Sequence, residues 1–213
     1  QRHYAANTLL PRAGVSWLGP TWVLQGQPDD HPWAREAAVG PPEVGELAPR
    51  PPRIVHVEEV DATEHTGATV GRRARDLGRA AGSERTGLRL HDVLPDMLMN
   101  PPHSHSAEEE IFVVLEGEAT LERWPRPHPP AAPASPGDGL ERYPLRPGSV
   151  VAAPAGSARP LAIRAGPGAC RVLAYGTRQP GDVVYYPRSG KVSLRGVGVI
   201  GRIELLDYWD GED

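Results

Sequence analysis

An all-β chain, with many short strands folded into a barrel or sandwich, is what this sequence predicts, and three observations carry it. Proline (25) and glycine (24) are abundant in the 213 residues, and punctuation that dense breaks long helices and favours short strands joined by turns. Short apolar runs recur in the second half of the chain, separated by turn signals such as RPGS, PAGS and RAGPG. The run IFVVLEG, residues 111–117, is apolar on both faces, as a strand covered on both sides must be. The length suits one domain with decorations and is enough to bury a core.

Residues 1–52 read as an arm rich in Pro, Gly and Trp, too polar to fold alone and expected to pack on the barrel or on a partner subunit. Within it, GVSWLGPTWVLQGQ offers one or two short strands around Gly19-Pro20, and residues 39–53 read as extended linker. Residues 53–213 read as the barrel domain. RIVHVEEV (53–60) alternates like a strand, GRRARDLGRAAGSERTG (71–87) reads as a basic loop with one helical turn, and LRLHDVLP is a second strand. IFVVLEG follows, with GEATLERW as the next arm of a hairpin turned at Gly117. PRPHPPAAPASPGDG (125–139) is a proline-rich insertion that holds His128. Strands are then expected over 143–146, 149–153, 161–164, 170–175, 183–186 and 192–195, before an acidic, aromatic tail.

Several classes of function are set aside by composition. The net charge is −4 with no long run of one sign, which gives no footprint for nucleic acid or a membrane surface. No apolar run approaches the roughly 20 residues a membrane helix needs. Cys170 is the only cysteine, so no disulfide forms within the chain, and its apolar run makes it a small core residue. A soluble, cytoplasmic protein without nucleic-acid or membrane partners is the expectation. EHTGATVG lacks the strand, lysine and helix that a phosphate loop needs.

Chemistry concentrates in PPHSHSAEEEIFVVLEG. His103 and His105 flank one serine. In a strand, residues i and i+2 share a face, roughly 6.6–6.8 Å apart along the chain, so two imidazoles there can converge on one ion. Glu110 lies five residues further on, and a chain reversal in SAEE turns it toward the same point. Imidazole with carboxylate suits iron, manganese, nickel, copper or zinc. A solvated polar turn ahead of a buried strand explains the same residues, so the surrounding pattern decides between the two.

That pattern resembles the first motif of the cupin superfamily: His103-x-His105, four residues, Glu110, six residues, Gly117, with Met97 where the motif usually opens on glycine. Cupins have a second motif: Gly, five residues, Pro-x-Gly, two residues, His. Here Gly148 and Pro154-Ala155-Gly156 fit, Arg159 stands in place of the histidine, and no histidine follows residue 128. YGTRQPGDVVYYPRSGKV and DYWDGE resemble a subgroup of small single-domain cupins. The resemblance spans residues 53–213. It implies a single double-stranded β-helix barrel, jelly-roll-like, commonly a homodimer, acting on a small-molecule substrate. It does not fix a reaction, because the fold hosts oxygenases, isomerases, lyases and binders.

Three arrangements follow for the centre. In the first, His103, His105 and Glu110 form a two-histidine, one-carboxylate set for one divalent ion, iron ahead of manganese, nickel or zinc, suited to Fe(II) and O₂ oxidoreductase chemistry, with Arg159 as a catalytic clamp on a substrate carboxylate. In the second, Arg159 marks a degenerate site, with no cofactor, in a small-molecule binder or metal-free isomerase. In the third, His91 or His65 supplies a fourth nitrogen from another strand. Glu109 is an alternative carboxylate, but only Glu110 leaves six residues before Gly117. Tyr185 and Tyr186 are read as core rather than pocket lining, Arg178 and Arg188 as surface residues rather than clamps, and Tyr208 and Trp209 as a packing lid or dimer contact.

Overall fold

The computed structural model describes residues 45, 46, 48–126 and 139–212, together with the backbone of three short N-terminal strands. The insertion holding His128, and most of the arm, lie outside the described residues. The chain divides into two units, Gln1–Pro49 and Arg50–Asp213.

In the first unit, β1 (Leu9–Leu10), β2 (Val15–Leu18) and β3 (Thr21–Leu24) form an antiparallel sheet in that order. Leu18 pairs with Thr21, so β2 and β3 are antiparallel neighbours.

The second unit is almost wholly antiparallel β. Its strands are β4 (Ala62–Thr66), β5 (Gly71–Asp76), β6 (Thr86–Val93), β7 (Ser104–His105), β8 (Glu110–Arg123), β9 (Glu141–Leu145) and β10 (Val150–Ala153). They continue with β11 (Leu161–Thr177), β12 (Val183–Tyr186), β13 (Lys191–Leu194) and β14 (Val199–Arg202). One sheet runs β10-β8-β11-β6-β5-β4, with β9 also paired to β8, and the other runs β14-β13-β12-β7. Bridges from Leu98 to Arg164 and from His103 to Leu161 carry the segment before β7 along the start of β11.

The core lies on the inner face of the larger sheet. Phe112, Ala119 and Leu121 of β8 pack with Leu161, Ile163, Ala165, Cys170, Val172 and Ala174 of β11. Ala162, on the opposite face of β11, is buried with Val70 and Leu98, so the first half of β11 is covered on both sides. Cys170 is a core residue: burial pushes its thiol up to about 11, so it stays protonated.

The structure departs from the sequence-based expectations at four places. Residues 53–60 form no strand; they make a 3-10 turn at Val57–Glu59, where the Glu58 N–H donates to His56 Nδ1. Their alternation meets no neighbouring strand that would bury one face. The basic stretch GRRARD is β5 rather than loop, because Arg73 and Arg75 are paired with Glu64 and Asp92 across the sheet. The expected helical turn follows as α1 (Leu77–Ala80), capped by Asp76 accepting from the Arg79 N–H at 2.9 Å. Gly117 is not a hairpin turn, and residues 161–164 and 170–175 are not separate strands. Both β8 and β11 run straight through, with the ladder shifting register between Ala165 and Cys170. This is a bulge, and Gly117 makes it sterically feasible. Its φ is +75°, and a Cβ there would lie 2.3 Å from the Ala169 carbonyl oxygen. β14 had no counterpart in the sequence reading.

Gly117→Ala therefore combines a left-handed backbone with a backbone clash and should cost at least about 2 kcal/mol in urea unfolding. Gly148 has φ +88° with nothing within 4 Å of a built Cβ, and Gly148→Ala should cost about 1 kcal/mol. Equal losses would contradict the bulge account.

Candidate metal centre

The two sheets meet at the histidine pair. His103 exchanges backbone hydrogen bonds with Leu161 of β11, at 3.2 and 2.9 Å. His105 pairs with Val184 of β12. Glu110 opens β8 between Ala153 and Gly176. A Cβ on Gly176 would lie 3.3 Å from Glu110 Cγ, so glycine leaves that side chain room.

The three predicted ligands converge. Glu110 Oε2 lies 3.6 Å from His103 Nε2 and 3.5 Å from His105 Nε2. All three atoms fall within 4.8 Å of one another. Ligands about 2.0–2.2 Å from a shared ion stand roughly 3.0–3.5 Å apart, so little adjustment would be needed to hold one. Each ring is oriented from its far side. His103 Nδ1–H donates to the Pro101 carbonyl at 2.8 Å, and His105 Nδ1–H donates to Asp182 Oδ2 at 2.7 Å. In the neutral rings both Nε2 atoms are thereby left as bare acceptors. His105 Nε2 is buried without a hydrogen-bond partner among the described residues. A buried orphan nitrogen facing a carboxylate and a second imidazole fits a divalent ion. A cavity of about 10 Å³ lies there, lined by the three side chains with Ala153, Arg159 and Leu161, which is room for one water or ion.

A second group, His105, Glu108 and Asp182, is close enough for an ion by distance alone. Its acceptors are already used. Both Glu108 oxygens lie 2.7 Å from Arg195 Nη1, and Oε1 also accepts from the Gln179 N–H at 2.9 Å. Asp182 Oδ1 accepts from the Ala107 and Glu108 N–H groups at 2.9 and 3.2 Å and from Ser106 Oγ at 3.3 Å. This network supports the centre from behind and folds the SAEE turn around Asp182. The three consecutive glutamates part as a result: Glu108 turns inward to Arg195, Glu109 stays exposed, and Glu110 faces the histidines. The alternative of Glu109 as ligand has no support from this geometry.

Burial alone would raise the Glu110 carboxyl, but the two imidazoles facing it outweigh burial and hold the group well below the usual range. Burial would lower His105, yet Glu110 and Asp182 together raise it.

The other candidates separate clearly. His65 is exposed on edge strand β4. His91 is buried; pairing with Val172 puts it on the inner face, but its nitrogens do not join the ligand group. Burial first, then the charges of Arg72 and Arg89, push its ring down to about 3, so it is neutral. Arg159 lines the small cavity while its Nη2 donates to Glu141 at 3.2 Å, so its charge is compensated away from the ligand atoms. Tyr186 stacks on His103, with ring centroids 6.0 Å apart, and Tyr185 is half-buried. Arg178 bonds Ser83 and Asp76, and Arg188 bonds Thr69. Tyr208 and Trp209 touch one another and are exposed. Asp182, Glu108 and Arg195 were missed from the sequence. Asp182 reaches back 77 positions to His105, and nothing local in QPGDVVYY signals that.

No protein-family model and no curated protein matches the sequence. Solved structures do. A protein assigned as a sugar phosphate isomerase from Acidithiobacillus ferrooxidans superposes with a TM-score of 0.57 at 24% identity, over 72% of this chain and 92% of that one. A sugar phosphate isomerase of the cupin superfamily from Silicibacter pomeroyi gives 0.56 at 22% identity, over 70% and 92%. The chain has the cupin fold. At these identities the likeness is one of fold. Among the described residues no helix is long and apolar enough to cross a membrane.

In the metal-free protein, ionised Glu110 contributes stability that is present above its ordinary pKa of 4.5 and lost as pH falls through its lowered value. Protonated His105 contributes stability that is present below its ordinary 6.5 and lost as pH rises through its raised value. The stability gap between wild type and Glu110→Gln should therefore be widest between about pH 4.5 and 6.5 and shrink on either side, measured by urea unfolding across pH. A gap that does not vary with pH would contradict the ion-pair reading.

Proposed function

We propose that this cupin is a metal-dependent enzyme acting on a small organic molecule, with His103, His105 and Glu110 as the protein ligands of one divalent ion, iron first. The observation that carries this is the buried Nε2 of His105, without a hydrogen-bond partner among the described residues, facing Glu110 and His103 Nε2. Two imidazoles and one carboxylate leave coordination positions open, the set used by non-haem Fe(II) oxygenases; manganese, nickel or zinc fits the same atoms. When bound, the ion supplies Lewis acidity and, as iron, reactivity with O₂. Oxygenase chemistry is placed slightly ahead of isomerase or lyase chemistry.

The chain's own residues do the rest. Pro101 and Asp182 hold the two rings with Nε2 forward. Tyr186 packs a flat face against His103. Arg159 sits at the cavity wall and already holds a carboxylate, that of Glu141, through Nη2 to both oxygens at 3.2 and 3.3 Å. A substrate carboxylate exchanging for Glu141 would bring the guanidinium into play as the clamp. The cavity between these side chains, about 10 Å³, is room for one ion or water rather than for an organic molecule. Assembly as a homodimer belongs to the same proposal, supported by Val199, Ile200 and Leu206 exposed along and after the edge strand β14.

One feature favours a second reading, a metal-free binder. A proton on His105 neutralises Glu110 without any ion, and the raised His105 pKa is in line with that. Metal analysis separates the two. Purified protein loaded with Fe(II), Mn(II), Ni(II) or Zn(II) should retain about one ion per chain, and His103→Ala should retain little. Protein that stays metal-free under all four, yet binds small molecules in a thermal-shift screen, would establish the binder instead. O₂ uptake after anaerobic Fe(II) loading and admission of air tests the oxygenase reading.

A further inference from the structure

We infer that Asp182 is the positioning residue of this centre: it fixes His105 as the Nδ1–H tautomer and so decides which nitrogen the site presents. Asp182 is fully buried, in the turn before β12, and is itself held on all sides. Its N–H donates to the Gln179 carbonyl, its carbonyl accepts from the Arg195 N–H, and Oδ1 takes the Ala107 and Glu108 N–H groups and Ser106 Oγ. Only Oδ2 is left for His105, at 2.7 Å, with Arg195 Nε 3.6 Å away. A carboxylate accepts and does not donate, so the proton between them belongs to Nδ1, and in the neutral ring Nε2 is bare. Held from behind in this way, an imidazole keeps its ring orientation and gains basicity. Arg195 and Glu108 complete the clamp, which ties the centre to the smaller sheet. The consequence for metal affinity rests on His103, His105 and Glu110 being ligands; the tautomer does not.

Asp182→Asn keeps the shape and changes the atoms. With its oxygen toward the Ala107 and Glu108 N–H groups, its amide faces His105 Nδ1, which must then accept, and the ring proton moves to Nε2. In the flipped orientation two backbone donors face a donor. The experiment has two arms. In the first, ¹⁵N-resolved spectra of the metal-free wild type at a pH where His105 is neutral should show the Nδ1–H tautomer, and finding Nε2–H overturns the proposal with no variant needed. In the second, chelator competition with Mn(II) or Zn(II) should give Asp182→Asn an affinity 10- to 100-fold weaker, on the order found for other orienting partners. Glu109→Gln removes a charge from the same turn, at an exposed position, and should stay within about twofold. An Asp182→Asn protein that folds and binds within twofold of wild type overturns the proposal. A wild type that binds neither ion overturns the metal reading alone, and the tautomer arm still decides the role of Asp182.

Discussion

β8 and β11 pair over most of their lengths, and the rest of the barrel hangs on that ladder. β11 pairs with β6 on its other edge, and β8 takes β10 and β9 at its two ends. Their inward side chains supply most of the core. The ladder also places two of the three converging groups: Glu110 begins β8, and the backbone of His103 is bridged to Leu161 at the start of β11. Neither strand could run unbroken without the bulge at Gly117, where any side chain would meet the Ala169 carbonyl. A residue that looks like a turn in sequence thus sets the geometry of a centre seven positions away.

The third group is placed differently. His105 belongs to the smaller sheet and is held through Asp182, Glu108 and Arg195, a buried network in which each carboxylate is paired and hydrogen-bonded. Such networks cost desolvation and are worth little to stability unless complete; complete, they give a fixed geometry. Here the fixed object is an imidazole nitrogen with no hydrogen-bond partner among the described residues.

The pattern of residues made much of this legible. Dense Pro and Gly with short apolar runs gave the all-β class, and the spacing from His103 through Gly117 picked out three side chains that do converge. What stayed hidden has physical causes. GRRARD reads as loop because cross-strand ion pairs, not apolar alternation, support it. RIVHVEEV reads as strand because alternation cannot reveal that no neighbouring strand is there. The unbroken paths of β8 and β11 depend on a bulge, and a glycine in sequence does not distinguish a bulge from a turn. Asp182 lies 77 residues from the ring it holds, a separation over which single-sequence reading carries no signal.

We propose that one divalent ion binds between His103 Nε2, His105 Nε2 and Glu110 Oε2. Anomalous diffraction from a crystal of the Mn(II)-loaded protein tests it most directly. The account predicts a single strong peak within bonding distance of His103 Nε2, His105 Nε2 and Glu110 Oε2. A peak on Glu108 and Asp182 instead, or no peak near the histidines in fully loaded protein, would contradict it.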